Sequence, residues 1–243
     1  MAKIFLDFTG ERVVEGKTPR RIWEDHTARY RFACAYVREK AVLDIACGTG
    51  FGASILLQGG AARVVGMDIS EDAIRMAREK YGVPGLEFET GDVLRIPCPR
   101  DSFERIVCFE TLEHVRDQDR ALEEMSRVLA PGGILVISSP NRELTSPRRR
   151  RQDAPANPFH VTEFTVAEFL EILDGRFEVL GTYGQRGAAK WKQIPPLRRL
   201  LLRLAPRWLG PERGRPEPEK RRWTKDYRYL IAVCRKAPVS PEK

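Results

Sequence analysis

The stretch Val42-Leu43-Asp44-Ile45-Ala46-Cys47-Gly48-Thr49-Gly50-Phe51-Gly52, followed by Val64-Val65-Gly66-Met67-Asp68, decides the fold. An apolar run breaks into a glycine-rich turn, a short helical segment follows, and a second apolar run ends in an acid. Glycines let a backbone turn tightly and approach a ligand closely, and an acid closing the second strand can accept hydrogen bonds from a ribose. A dinucleotide site would need G-x-G-x-x-G at the helix start, whereas here Ala46 holds the first small position and the glycines fall at 48, 50 and 52. Asp44 at the mouth of the turn repels a pyrophosphate and suits an ammonium group. The pattern therefore points away from a nicotinamide dinucleotide and towards a nucleoside that carries an amino acid.

Outward from this stretch, apolar runs alternate with helical patterns. Ser70 is suited to cap a helix whose first turn holds Glu71 and Asp72, where the helix dipole favours acids, and Gly82 suits its end. Strands are expected at 86–89 and 103–109, a helix over about 117–129, a turn at Pro131-Gly132-Gly133 and a strand at 134–138. Such alternation implies parallel βαβ units, whose ligands sit at the carboxyl ends of the strands. Asp44, Asp68, Asp92 and Glu110 each fall at or just beyond such an end, so one crevice can collect all four.

At 243 residues the chain fits one large α/β domain or a domain with a lid. No run approaches the length of a membrane span, and the first residues lack the apolar core of a secretion signal, so a cytoplasmic protein is expected. Cys34, Cys47, Cys98, Cys108 and Cys234 are scattered and read as reduced thiols. His26, His114 and His160 lack the short spacing of a helical metal pair, so no metal is expected. The net charge of +8 raises nucleic acid as a partner, but much of the excess lies outside the core pattern, and RNA modification ranks below a small-molecule reaction.

Taken in order and spacing, LDIACGTGFG, VVGMDIS, GDVLRIP, SFERIVCFETLEHV and RVLAPGGILVISSPN resemble the class I S-adenosylmethionine-dependent methyltransferases over residues 42–141. The segment TGERVVEGKTPRRIWEDHTARYRFA looks like the helical lead-in of a bacterial subgroup, and NPFHVTEFTVAEFLEIL like its later portion. The resemblance implies a Rossmann-like three-layer α/β sandwich on a mostly parallel seven-stranded sheet with an antiparallel C-terminal strand. It implies a lead-in at 1–40, a core at 41–183 and 227–236, and an insertion at 184–226. S-adenosyl-L-methionine is the implied cofactor. Asp44 would lie near the methionine amino group, through water or the adjacent backbone, while Ala46, Cys47, Gly48 and Gly50 would wrap the cofactor with backbone groups. Asp68 would accept from the ribose hydroxyls and Ile69 would pack on the adenine. Asp92 would accept from the adenine amino group, and the Val93 amide would donate to a ring nitrogen. Phe109, Glu110 and Thr111 would flank the methionine portion, and Arg29 and Tyr30 would reach its carboxylate.

Methyl transfer asks mainly for geometry, because the sulfonium already leaves well, but a hydroxyl acceptor benefits from a base. His114, just after the fourth strand, is the first candidate, with His160 and Glu163 placed to line the acceptor pocket. HVTEF also reads as an anchor before Thr165, which with Glu168 forms a capping-box pattern. Residues 142–158, with Arg148 to Arg151 and several prolines, read as a mobile basic loop beside the cleft. The stretch 184–226 carries thirteen basic and four acidic side chains, with Leu197, Leu200, Leu201, Leu204 and Trp208 at helical spacing. It reads as a lid, a contact with an anionic membrane surface at 197–208, or a partner-binding helix. The expectation is methylation of a small-molecule or lipid-linked acceptor, at oxygen of a sugar, quinone or natural-product intermediate. The alternatives are a non-catalytic cofactor-binding protein and an RNA-modifying enzyme.

Overall fold

The computed structural model describes residues 12–187, 219–220 and 226–238. Strands β1 (Ala41–Ile45), β2 (Arg63–Asp68), β3 (Leu86–Thr90), β4 (Phe103–Phe109), β5 (Leu129–Pro140), β6 (Phe177–Gly187), β7 (Glu219–Lys220) and β8 (Tyr227–Lys236) form one sheet. Its order is β3-β2-β1-β4-β5-β8-β6-β7. The first five strands in that order pair in parallel, whereas β8 inserts antiparallel between β5 and β6. This is the mostly parallel α/β sheet that the sequence implies, with the two-residue β7 as an addition at the far edge.

Parallel strands are covered on both faces, so their residues are apolar on both sides. On one face, Leu43, Ile45, Met67, Ile106 and Ile137 pack against Leu122 and Met125 of α4 (Gln118–Val128) and Phe169 and Leu173 of α6 (Val166–Leu173). On the other, Val42, Val64, Val107 and Val136 meet α1 (Arg20–Val37), α2 (Phe51–Gln58) and α3 (Glu71–Tyr81). Each such fully buried side chain contributes roughly 1.5–3 kcal/mol. The period-2 alternation of β1 therefore puts Asp44 on the same face as Val42, under α1.

Local signals match the element ends. The Ser70 side chain accepts from the Ala73 amide at the start of α3, and Thr165 and Glu168 form both bonds of a capping box on α6. Proline and glycine at 131–133 do not separate two elements. They form an irregularity within β5, where the register against β4 shifts between Phe103/Leu129 and Arg105/Ile134. Strand β6 runs past residue 183 to Gly187, and Glu219–Lys220 pairs back on Gly184 and Tyr183. The apolar stripe at 197–208 lies outside the described residues. No described helix is long and apolar enough to cross a membrane.

The basic segment after β5 carries local hydrogen bonds that its composition does not encode. Asn141 caps a one-turn helix, α5 (Arg142–Thr145), and the Ala156 amide donates to Ser146 Oγ at 2.7 Å. Arg149 donates to the carbonyls of Ala154 and Pro155, so one of the four consecutive arginines serves the fold of its own loop.

Candidate active site

The carboxyl ends of β1 to β5 open into a cavity of about 940 Å³. At its centre, the chain leaves β1 through three residues with positive φ: Ala46 at 60°, Gly48 at 57° and Gly50 at 84°. The left-handed conformation suits glycine but strains alanine, so Ala46 is held there by its surroundings. The Cys47 amide donates to Met67 O at 2.9 Å, which pins the turn to β2. Gly52, in the first turn of α2, has no room for a side chain: a Cβ there would lie 2.0 Å from the Tyr30 ring.

That ring ties α1 to β1. Tyr30 Oη donates to Asp44 Oδ1 at 3.1 Å, while the buried Oδ2 has no hydrogen-bond partner among the described residues. Burial pushes the Asp44 carboxyl up to about 8, with the nearby Asp68 charge adding to the rise and the Tyr30 bond opposing it. Asp68 is held by backbone donors, Gly48 N to Oδ2 at 2.8 Å and Ser70 N to Oδ1 at 2.9 Å, and lies 3.5 Å from Arg12 Nη2. Beyond it, Asp92 Oδ1 accepts from Leu94 N at 2.9 Å, orienting the loop that contains Val93. Ile69 stands at the rim with 69% of its surface exposed, an apolar face open towards the cavity.

The β4 and β5 side of the cavity is built differently. Glu110 has φ of 50°, and its Oε1 accepts from Ser138 Oγ at 2.6 Å. Thr111 Oγ1 donates to Phe109 O at 3.0 Å, and a single 3₁₀ turn, Leu112–His114, follows. The strap 157–163 then returns over this turn, with the amides of Val161 and Thr162 donating to Glu113 O at 2.7 and 3.1 Å. His114 and His160 thereby come together, their ring centroids 4.9 Å apart and nearly perpendicular. His160 Nδ1 lies 2.7 Å from Glu163 Oε1, and Thr145 Oγ1 donates to Glu163 Oε2 at 2.7 Å. Burial raises the Glu163 carboxyl, but hydrogen bonds from His160, Ser146 and Thr145 outweigh it and hold the group below the ordinary carboxylate range.

All the residues nominated from sequence line this cavity except Arg29, Asp44 and Gly50. Asp44 stands one layer behind, joined through Tyr30. Gly50 faces inwards as the residue preceding α2, where a Cβ would meet Ala77 and Phe88. Arg29 is fully buried behind Tyr229, its guanidinium 4.7 Å from that ring, with Nη1 donating to Gln185 Oε1 at 2.6 Å. Its Nε and Nη2 have no hydrogen-bond partner among the described residues.

Sequence reading missed several wall residues, among them Arg12, Glu113, Asn157 and Tyr229. Glu113 carried a signal, as an acid next to His114 just past a strand end. Burial, followed by the charge of Glu110, raises its carboxyl well above the ordinary range. Arg12 and Tyr229 reach the cavity from opposite ends of the chain and carried no local signal.

The family described as "Methyltransferase domain" matches residues 37–195. A probable S-adenosylmethionine-dependent methyltransferase of Mycolicibacterium smegmatis is 36% identical over 181 residues, 74% of this chain and 68% of that protein. A fatty-acid O-methyltransferase of the same organism is 32% identical over 214 residues, 83% of this chain and 70% of that one. Among solved structures, the N-methyltransferase NodS of Bradyrhizobium japonicum in complex with S-adenosyl-L-homocysteine superposes with a TM-score of 0.61. It is 19% identical and shares the fold, over 92% of this chain and 94% of its own.

Proposed function

The chain belongs to the S-adenosylmethionine-dependent methyltransferase family, and on that premise we propose that it methylates an oxygen of a small-molecule or lipid-linked acceptor. Sugars, quinones and natural-product intermediates are the acceptor classes that this reading covers. The observation that carries it is the polarity of the cleft. Along the strand order, Asp92, Asp68 and the β1 turn occupy one side, and His114, His160 and Glu163 occupy the other.

The first side suits adenosine. Asp68, fixed by two backbone amides, keeps lone pairs for the ribose hydroxyls, and Ile69 offers an apolar plate to the adenine. Asp92 and the Val93 amide take the base edge, while Ala46, Cys47 and Gly48 line the middle with backbone. The amino-acid end is matched by buried groups without partners among the described residues, an acceptor on Asp44 and donors on Arg29. These have the signs that an ammonium and a carboxylate require. Both stand behind the wall, so they act through Tyr30, Tyr229 and intervening solvent. Phe109, Glu110 and Thr111 flank the reactive end.

S-adenosylmethionine supplies the electrophilic methyl group; the S–CH₃ bond breaks as the O–CH₃ bond forms, leaving a thioether. The chain's task is to hold the acceptor oxygen in line and to ease loss of its proton. His114, His160 and Glu163 do this at the β4 and β5 side.

The test has two parts. Calorimetry with S-adenosylmethionine and S-adenosylhomocysteine reads the cofactor site, and unaltered affinity in Asp68→Ala removes the site assignment. A radiolabelled methyl-transfer screen against fractionated host metabolites and RNA then reads the acceptor. Label in an alkali-stable small-molecule ether supports the proposal. Label confined to RNA, or no transfer by a protein that binds the cofactor tightly, overturns it.

A further inference from the structure

We infer that Glu113, His114 and His160 bind a divalent cation, which takes the acceptor's hydroxyl oxygen at the β4 and β5 side of the cavity. The inference rests on the oxygen-acceptor reading and deepens it. Spacing along the chain predicts no metal pair, since His114 and His160 lie far apart in sequence. The fold removes that separation: one ligand atom from each of the three residues lies within 4.8 Å of the other two. Small side-chain movements suffice to close such a group onto one ion.

Both imidazoles have the tautomer that Nε2 ligands need. His114 Nδ1 lies 3.1 Å from the carbonyl oxygen of Phe159, which can only accept, so Nδ1 carries the proton and Nε2 the lone pair. His160 Nδ1 faces the Glu163 carboxylate at 2.7 Å, and its Nε2 lies 2.8 Å from the Asn157 amide nitrogen, which can only donate. Again Nε2 holds the lone pair. A carbonyl or carboxylate behind the far nitrogen is the usual support of a metal-binding histidine. On binding the cation, His160 exchanges its Asn157 hydrogen bond for a coordinate bond.

Glu113 supplies an independent observation. Its side chain is fully buried and lines the cavity, yet Oε1 has no hydrogen-bond partner among the described residues, and Ser139 Oγ donates to Oε2 over a long 3.4 Å. Glu110 lines the same cavity, close enough for its charge to act on Glu113. Two neighbouring carboxyls, one with an unsatisfied buried oxygen, are costly without a counter-charge, and a divalent ion provides it.

Two imidazoles and a carboxylate suit Mn²⁺, Fe²⁺, Co²⁺ or Zn²⁺ and leave coordination positions for oxygens of the acceptor. A cation there lowers the pKa of a bound hydroxyl, so its proton passes to water and the oxygen is ready to accept the methyl group. An acceptor with two adjacent hydroxyls would gain most, since both could reach the ion.

The experiment strips the full chain with a chelator and titrates it with Mn²⁺ and separately with Co²⁺. Free Mn²⁺ is read by electron paramagnetic resonance and bound Co²⁺ by its visible absorption. Calorimetry with S-adenosylhomocysteine reports on the cofactor site in every sample. The expected result is one ion per chain, with affinity weakened more than about 100-fold in Glu113→Gln, His114→Asn and His160→Asn. Glu163→Gln, which removes only the support behind His160, weakens it about 10-fold. Absence of stoichiometric uptake of either ion by protein that binds S-adenosylhomocysteine overturns the cation and leaves the methyltransferase reading intact. Uptake unchanged in both histidine variants overturns the assignment of the ligands. Failure of the wild-type chain to bind S-adenosylhomocysteine overturns the reading beneath.

Discussion

The two sides of the cleft differ in what holds them. On the β1 to β3 side, Asp68 and Asp92 sit at or just beyond the ends of their strands and are fixed by nearby backbone: Asp68 by Gly48 and Ser70, and Asp92 by its own turn. On the β4 and β5 side, groups fix one another across long stretches of chain, as Thr145 does Glu163 and the Glu113 carbonyl does the 157–163 strap. Backbone-held sites tolerate change in neighbouring side chains, whereas a mutually held cluster loses its geometry when one member goes. A cofactor site of the first kind can stay constant while an acceptor site of the second kind is rebuilt.

Paired substitutions test that separation most severely. Asp68→Ala removes a carboxylate proposed to accept from both ribose hydroxyls. At roughly 1.5–3 kcal/mol for each of the two charge-assisted bonds, cofactor affinity should fall by about two to four powers of ten. Mn²⁺ uptake should persist in the same variant. His160→Asn should do the reverse, sparing S-adenosylhomocysteine affinity while methyl transfer falls by about two powers of ten, the usual scale for losing acid, base or polarising help. If either variant damages both readouts equally, with its melting temperature preserved, the cleft acts as one unit and the contrast is lost.

This division also explains what the sequence made legible. The turn after β1, the acids at strand ends and the capping box on α6 are local patterns, and each appears in the structure near its expected place. Glu113 and His160 meet only because the strap folds back over a 3₁₀ turn, a contact that periodicity does not encode. Gly50 and Gly52 were legible as part of a cradle, but their reasons are packing against Phe88 and Tyr30, on elements remote in sequence. Arg29 stands one layer behind the cavity wall, beside Tyr229, a depth that side-chain direction on α1 sets and the sequence pattern does not encode.

Asp44 gives a second test, because it belongs to the backbone-held side but is fixed by a side chain, Tyr30. With its carboxyl raised from 3.8 to about 8, the folded chain without cofactor keeps a proton there that the unfolded chain releases. The stabilising contribution of that proton is fully present below about pH 4 and is lost as pH rises towards 8. Asp44→Asn should therefore gain on wild type in melting temperature as pH increases across this window. Binding of an ammonium-bearing cofactor at neutral pH should drive Asp44 to ionise, so the wild-type chain releases a proton and the variant does not. Calorimetry in buffers of different ionisation enthalpy reads that proton directly. Zero release by the wild type would remove Asp44 from the ammonium site.

Ala46 carries the smallest expected effect. At φ of 60° it occupies a region that costs a residue with a Cβ roughly 1–2 kcal/mol. Glycine would relieve this strain but give the unfolded chain more freedom, worth roughly 0.5–1 kcal/mol in the other direction. The balance favours Ala46→Gly by about 0.5–1 kcal/mol, a rise of a few degrees at most in melting temperature. Cofactor affinity should hardly move, because Ala46 is proposed to act through its backbone, whose path the substitution preserves. A marked loss of affinity would mean that the methyl group of Ala46 itself contacts the cofactor, and that side chains as well as backbone build this side of the cleft.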